Sequence, residues 1–491
     1  MTEYYVSLNG DNSNDGMSEA TAWRTIQHAA INASLPGDVV EVKEGVYTEP
    51  EVMFNVHSGI LGFPIIFRPY LNETVIVEGV MNIDGKSWIV LDGFVCQNGS
   101  YGGVLIVNGA SNNIVRNLEV KNATGIGVYI KAGPMGQTSN NKVFNCWIHD
   151  NSSEGIYLKG GLFGQLIEDN IIELCIIHDN GMDGIQNTTD EDTKPTRTII
   201  RQNVLYRNSS WAAMDLSGDG LLVEKNHVFL NFGDVGGIFY ATGNGAIIRN
   251  NLIYKNQGVG EFATGIWVAD GATNTKVYQN TVAGHTTGLG RGIRMNVGTG
   301  CEVKNNISAG NLDQFFVGEG TPTSDTNLFF GLSTDTGLNP ILLDPEFIDP
   351  ANDNYMIAVT SPAKDAGLNL GVGDDIIGTS RPQGLAPDVG VYEYKEIDGM
   401  IKLFYKYSGE MDWTEIGEMN ENAEATYSWN PPQEGDCQLR VDADPQDGRQ
   451  IASAETGMFN IAHPVEVSFL FPIGGETTEV DPVEVRVNVV W

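Results

Sequence analysis

The stretch Gly237-Ile-Phe-Tyr-Ala241 returns as Gly265-Ile-Trp-Val-Ala269 and again as Gly292-Ile-Arg-Met-Asn296, and between the copies the chain sets Asn251 and Asn256, then Asn280 and His285. The spacing extends backward. Gly155-Ile-Tyr-Leu-Lys159, Gly184-Ile-Gln-Asn-Thr188 and Ala213-Met-Asp-Leu-Ser217 each put a small residue before a strand-like run. Asn117, Asn145, Asn203, Asn226, Asn251, Asn280 and Asn306 fall into one column, interrupted at Leu174. A second column holds Asn151, Asn180, Asn208, Asn231, Asn256, His285 and Asn311. Over residues 104 to 311 the period is roughly 23 to 29 residues, in the range of solenoids.

Strands that recur once per coil stack as parallel sheets about 4.8 Å apart. Asn suits the corners, because its amide both donates and accepts along a stack and its backbone tolerates the left-handed region. Leucine-rich repeats need Leu at the turns, and propeller blades need a longer period. The fold class expected is all-β, a right-handed parallel β-helix.

Upstream, Tyr4-Tyr-Val-Ser-Leu-Asn-Gly-Asp-Asn-Ser-Asn-Asp-Gly16, then Trp23-Arg-Thr-Ile-Gln-His-Ala-Ala30, then Gly37-Asp-Val-Val-Glu-Val-Lys-Glu-Gly-Val-Tyr-Thr48 reads as strand, short amphipathic helix and first coil. The helix is expected to plug the open end of the core, within a cap of residues 1–36. This order, followed by Asn-cornered coils, resembles the right-handed β-helix repeat proteins of the pectate-lyase-like superfamily. Asp344-Pro-Glu-Phe-Ile-Asp-Pro350, Ser361-Pro-Ala-Lys-Asp-Ala-Gly367 and Pro387-Asp-Val-Gly-Val-Tyr-Glu-Tyr394 resemble a closing segment, expected over 320–394. The resemblance spans residues 1–394 and implies a fold more firmly than an activity.

Beyond Tyr394 the pattern changes to alternating strands: Leu403-Phe-Tyr-Lys-Tyr407, Tyr427-Ser-Trp429 and Cys437-Gln-Leu-Arg-Val441, with Pro431-Pro432 between. This resembles a small immunoglobulin-like β-sandwich over 398–464. Residues 465–491 then read as the start of a further β module or as final strands, so a fragment of a longer protein is expected.

The 491 residues carry 63 Asp and Glu against 28 Lys and Arg, a net charge of −35, with no basic run to offset it. Such a field repels nucleic acid and anionic membranes, so neither is an expected partner. No apolar stretch reaches membrane-spanning length. A glycan remains as the partner, neutral, or acidic if a divalent cation bridges it to the protein. Five scattered cysteines lack metal spacing and argue against a disulfide scaffold, and the seven His show no ligand spacing either. No signal peptide precedes Tyr4-Tyr5-Val6; either it was removed or export takes another route.

Alternate residues of the marked strands point outward, giving a column of Tyr129, Tyr157, Gln186, Asp215, Phe239, Trp267 and Arg294. Flat rings suit the C–H faces of sugars, so this column is the expected substrate strip. A strand phase wrong by one residue would turn it inward. Glu154 and Asp183, one coil apart and thus about 5 Å by strand spacing, join Asp215 as candidate catalytic acids, near the separation of a retaining glycosidase pair. Like charges so close would raise one pKa, as a general acid requires. Alternatively the acids hold Ca2+ together with Asp190, Glu191 and Asp192, or they are solvated turn acids of an acidic chain.

A lyase needs a base for the C5 proton of a uronate and a cation for its carboxylate. Lys159, with Lys131 and Tyr157, is the candidate base. Arg294 lies five coils from Lys159, about 24 Å at sheet spacing, so the two cannot share a centre. The Arg-based motif of pectate lyases and the Lys/Arg pair of the alginate and chondroitin lyases have no match here. Two functions follow as expectations: an extracellular or cell-surface polysaccharide-binding and processing protein, lyase or glycoside hydrolase in type; or a non-catalytic virion or surface component, tailspike-like and forming a homotrimer or larger assembly, that binds glycans.

Overall fold

In the computed structural model the described residues are 2–395, apart from 135, 162–164, 189–192 and 194, and beyond them the backbone of strands between residues 399 and 489. Three parallel sheets of 13, 12 and 11 strands wind together. They form a right-handed parallel β-helix of about 10 turns with almost no α-helix. One coil runs from Ile199–Arg201 in the 13-stranded sheet to Val204–Tyr206 in the 12-stranded sheet and Met214–Ser217 in the 11-stranded sheet; the next runs from Leu222–Glu224 to His227–Phe229 to Gly236–Asn244.

In-register stacking makes the core. Ile200, Val223, Ile248, Val277 and Val303 pair in succession and are all fully buried. Ile156, Ile185, Met214, Ile238, Ile266 and Ile293 do the same in the 11-stranded sheet. All belong to one hydrophobic cluster that runs the length of the solenoid. β-branched and long aliphatic side chains recur there because a stacked pleat favours shapes that pack against their own copies.

Two residues suffice to turn from the 13-stranded to the 12-stranded sheet, and each has its own task. The first takes positive φ, as at Gln202 (56°), Lys225 (57°), Asn250 (52°) and Gln279 (52°), a conformation that costs about 1–2 kcal/mol for an L-residue. The second is buried and forms the ladder. Asn226 Nδ2 donates to Ile200 O (3.0 Å) and Asn251 Oδ1 (2.9 Å), while its Oδ1 accepts from the backbone N and Nδ2 of Asn203, each at 3.0 Å. This ladder runs through Asn203, Asn226, Asn251, Asn280, Asn306 and Asn327.

Here the expected first column needs correction, since it fuses these two positions. Asn117 (57°), Asn145 (51°) and Leu174 (58°) occupy the positive-φ place, one residue ahead of the ladder. The ladder's own positions in those coils are Leu118, Cys146 and Cys175, and Cys175 N donates to Asn203 Oδ1 at 2.9 Å. Asn meets both requirements, so residue type alone cannot tell the columns apart. The second column is a single ladder, from Asn151 through Asn180, Asn208, Asn231 and Asn256 to His285 and Asn311. A third, at Asn113, Asn141 and Asn170, leads into the 13-stranded sheet.

At the N-terminus Glu3–Val6 pairs with Val39–Val42 as the first strand of the 13-stranded sheet. The helix Ile26–Asn32 is capped by Thr25, whose side chain accepts from His28 N, and it buries Ile26, Ala29 and Ala30 into the core cluster. At the other end the last rungs, Thr323–Asp325 and Leu328–Phe330, fall inside the stretch expected to close the solenoid. Gly390 N on Asn305 O (2.8 Å) and Val391 N on Thr281 Oγ1 (3.0 Å) tie the end of that stretch back to the coils.

A second unit contains residues 372–385 and 393–491. Its strands beyond residue 399 are antiparallel. Gly399–Tyr407 lies between Thr414–Asn420 and Gly435–Pro445, and Val465–Leu470 pairs with both Glu424–Trp429 and Glu484–Val489. The side chains that would pack the expected immunoglobulin-like sandwich lie outside the described residues. No helix among the described residues is long and apolar enough to cross a membrane.

Candidate functional site

The outward strip follows from strand register. Tyr129 pairs with Tyr157, Tyr157 with Gln186, Gln186 with Asp215, Asp215 with Phe239, Phe239 with Trp267 and Trp267 with Arg294. Their strand neighbours Ile156, Leu158, Ile238 and Ile266 are buried in the core, so the strip faces outward. It is half-buried rather than bare, because Trp211 and Phe262 fold onto it and leave Trp267 only 8% exposed. The rings of Tyr129 and Tyr157 stack at 5.4 Å. Further along, Phe239 meets Trp267 at 4.8 Å and 56°, Trp211 meets Phe239 at 5.5 Å and 77°, and Phe262 stacks on Trp267 at 5.7 Å. The buried indole N–H of Trp267 has no hydrogen-bond partner among the described residues.

Beside this aromatic group stand the acids. Glu154 and Asp183 each precede a marker glycine, Gly155 and Gly184, where a Cβ would come within 3.0 Å of the next coil's backbone. The coils close tightly there, and both carboxyls are buried, at 6% and 3% exposure. Asp183 Oδ1 accepts from Trp211 N and Ala212 N, each at 3.0 Å. Among the described residues its Oδ2 has no hydrogen bond. Burial, aided by the charges of Asp215 and Glu154, pushes the Asp183 carboxyl up to about 7, against the pull of the two amides. Asp215 Oδ2 accepts from Gln186 Nε2 at 3.3 Å, and burial raises this carboxyl too. Glu154 Oε2 accepts from Ser153 Oγ at 2.6 Å. Three successive coils thus bring Glu154 and Asp215 within electrostatic reach of Asp183, which is half-protonated near neutrality.

Not every expected residue joins them. Lys159 ends the strand that Glu154 precedes, about 16 Å of extended chain away, where its Nζ lies 5.8 Å from the Tyr157 ring centroid. Tyr157 itself pairs its hydroxyl with Thr188 Oγ1 at 3.1 Å. Arg294 is three rungs from Asp215, about 14 Å, with its guanidinium 4.0 Å over Trp267. Asp190, Glu191 and Asp192 lie outside the described residues. Among the described residues no group of three or more His, Cys, Asp or Glu is placed to hold a metal ion.

Sequence reasoning missed Trp211 and Phe262, which reach the strip from loops that carry no periodic signal. It also missed a second outward column, on the 12-stranded sheet, where His149, His178, Tyr206, Phe229 and Tyr254 stack in register at 4.6 to 5.3 Å. The signal for it was the repeat of Ile148-His-Asp150 as Ile177-His-Asp179.

Comparison with known proteins agrees with this architecture. Residues 4–221 match the family model described as Pel9A-like, right handed beta helix region, and residues 159–308 match the one described as right handed beta helix region. The crystal structure of pectate lyase Pel9A is similar over 80% of this chain and 97% of its own, at 19% identity and a TM-score of 0.51. The structure of XylC with xylose is similar over 80% and 99%, at 12% identity and 0.50. Uncharacterized protein YwoF of Bacillus subtilis (strain 168) is 28% identical over 329 residues, which is 58% of this chain and 64% of that protein. Likeness at such identities speaks for fold alone. Between residues 4 and 308 the chain thus matches right-handed β-helix regions, within a solenoid of about 10 turns.

Proposed function

We propose that this protein cleaves glycosidic bonds of an extracellular or cell-surface polysaccharide by acid–base catalysis at Glu154, Asp183 and Asp215, with the sugar chain lying along the outward aromatic strip. The observation that carries this reading is Asp183, a buried carboxyl pushed up to about 7 beside two further acids. A group so tuned holds a proton at neutral pH and can release it. Asp183 gives its proton to the leaving glycosidic oxygen as the bond to the anomeric carbon breaks. Water attacks that carbon, and its proton passes to Asp215, with Glu154 keeping the Asp183 proton in place by its charge. Pairs of titratable groups with diverging environments mark such divisions of labour.

A hydrolase fits better than a lyase. Elimination needs a base beside a cation that neutralises a uronate carboxylate, whereas the groups around Asp183 are acids and the candidate Lys159 lies at the strand's far end. Phe239, one rung from Asp215, and Trp211, whose backbone N–H binds Asp183, supply half-buried aromatic surface for sugar rings next to the acids. The test is oligosaccharide release across a glycan panel by wild type and by Asp183→Asn. Release that survives unchanged in the variant would remove Asp183 from the reaction.

A further inference from the structure

Two arginines sit at the far end of the strip in an arrangement unlike the other guanidiniums of the solenoid. Of the arginines up to residue 395, all except Arg24, Arg291 and Arg294 hold a carboxylate of the described residues within ion-pair distance. In a chain with 63 acids and 28 bases, an unpaired arginine in an ordered place is not the cheap outcome. Arg291 stacks at 4.1 Å over Phe316 and Arg294 at 4.0 Å over Trp267. Both donate through Nη1 to one carbonyl oxygen, that of Glu261, at 2.8 and 3.2 Å, and Arg294 Nε donates to Asn296 Oδ1 at 3.0 Å.

The shared carbonyl and the two rings fix a pair of like charges side by side and leave most of their ten N–H donors unused. Burial lowers both guanidinium pKa values, and Arg291 lowers that of Arg294 further. Asp313 stands in register with Arg291 on the next rung, and the charges of Glu261 and Asp270 also bear on the pair. None of them is an ion-pair partner, and Asp313 is engaged by the backbone N and hydroxyl of Thr334 at 2.9 and 2.7 Å. Beneath Arg294 the buried indole N–H of Trp267 is also without an acceptor. Two cations stacked on aromatic rings, with an orphan donor beneath, suit an anion with several oxygens.

We propose that Arg291 and Arg294 form a subsite for a carboxylate or sulfate group of the glycan, set three rungs from Asp215, so that the substrate is a heteroglycan whose cleaved unit is uncharged and whose charged unit lies further along. This rests on the acid-centre reading above and narrows it. Three acids around the scissile bond repel an anionic sugar there, and the arginine pair attracts one about 14 Å away. A homopolymer of acidic sugars would satisfy the second requirement and violate the first.

The experiment separates the two readings. The Asp183→Asn protein is applied to an array carrying neutral xylan and galactan oligosaccharides, glucuronate-bearing and sulfated forms of the same backbones, and the carboxyl-reduced and desulfated counterparts. Capture of charged oligosaccharides, weakened about tenfold or more by Arg291→Ala with Arg294→Ala, and weakened by salt, is the expected result. Capture that falls with carboxyl reduction assigns a uronate, and capture that falls with desulfation assigns a sulfate ester. Arg24→Ala serves as the matched loss of an unpaired arginine. Equal capture by the double variant, capture of neutral forms only, or no capture overturns the subsite. Cleavage of any glycan by wild type and its loss in Asp183→Asn is read separately, so the subsite can fail while the acid centre stands, and the reverse.

Discussion

Two outward columns of this solenoid are built by the same rule and reach opposite electrostatic states. On the 12-stranded sheet His149, His178, Tyr206, Phe229 and Tyr254 stack with successive interplanar angles of 6°, 9°, 13° and 7°. Their polar atoms are served. His178 Nδ1 lies 2.6 Å from Asp179 Oδ2, its Nε2 accepts from Trp147 Nε1, and Asp179 takes Arg207 through two bonds. On the 11-stranded sheet the rings tilt, an indole N–H goes unpaired and an acid carries a pKa near 7. A column that satisfies itself needs no function to explain it. One that leaves buried groups unpaired stores a cost, and such costs cluster where chemistry is done.

The sharpest break between the columns comes from activity. Asp183→Asn keeps an acceptor for Trp211 N and Ala212 N and removes the proton donor, so turnover should fall roughly 10²–10⁴-fold with the fold intact. The same variant tests the cost itself. The Asp183 carboxyl stands at about 7 in the folded chain against an ordinary 3.8, so between those values the folded state keeps a proton that the unfolded state has lost. Stability from this group is therefore full below about pH 4 and lost as pH rises to about 7. Melting temperatures of wild type should fall across that window more steeply than those of the variant; parallel curves would mean that Asp183 ionises like a surface acid. On the other column Phe229→Ala removes one ring from between two stacked neighbours. About 2 kcal/mol of stability should go, from lost burial and ring contacts, with glycan turnover unchanged. A loss of turnover there would erase the distinction between the columns.

How much of this was readable beforehand depended on whether a feature repeats. The outward strip was legible because strand alternation and coil period together fix which residue stacks on which, and the phase held from Tyr129 to Arg294. Corner asparagines were legible as corners but not as columns, since Asn117 at positive φ and Asn203 in the ladder look alike in one dimension. The ladder at Asn113, Asn141 and Asn170 has three members and too little repetition to stand out. Glu154, Asp183 and Asp215 could be named from their places in the repeat. The raised pKa of Asp183 could not, because it depends on how deeply the fold buries the carboxyl and on which amides it meets, those of Trp211 and Ala212. Arg291 was invisible as a partner of Arg294 because only the fold brings both to Glu261 O.

The corner ladder that divides the two columns offers the smallest and most exacting test. His285 stands there in a place otherwise held by Asn, between Asn256 and Asn311. Its Nε2 faces Asn256 Nδ2 at 3.3 Å and its Nδ1 faces Asn311 Oδ1 at 3.1 Å. Since Asn256 Nδ2 can only donate and Asn311 Oδ1 can only accept, the ring must be neutral with its proton on Nδ1. An amide offers the same donor and acceptor, so His285→Asn should shift stability by less than about 1 kcal/mol at pH 7, some lost ring packing offsetting a regular rung. Acid should separate the two proteins. Burial holds the His285 pKa down to about 4 from an ordinary 6.5, so below 6.5 the unfolded chain takes up a proton that the folded chain refuses. Stability from this group is present above that value and lost as pH falls toward 4. His227, likewise held at about 4 by burial, contributes the same trend to both proteins and cancels in the comparison. The melting temperature of His285→Asn should therefore gain on wild type as pH drops from 6.5 to 4. A gap that stays constant over that range would mean that the ring is protonated in the folded ladder, and that the corner between the columns tolerates a buried charge.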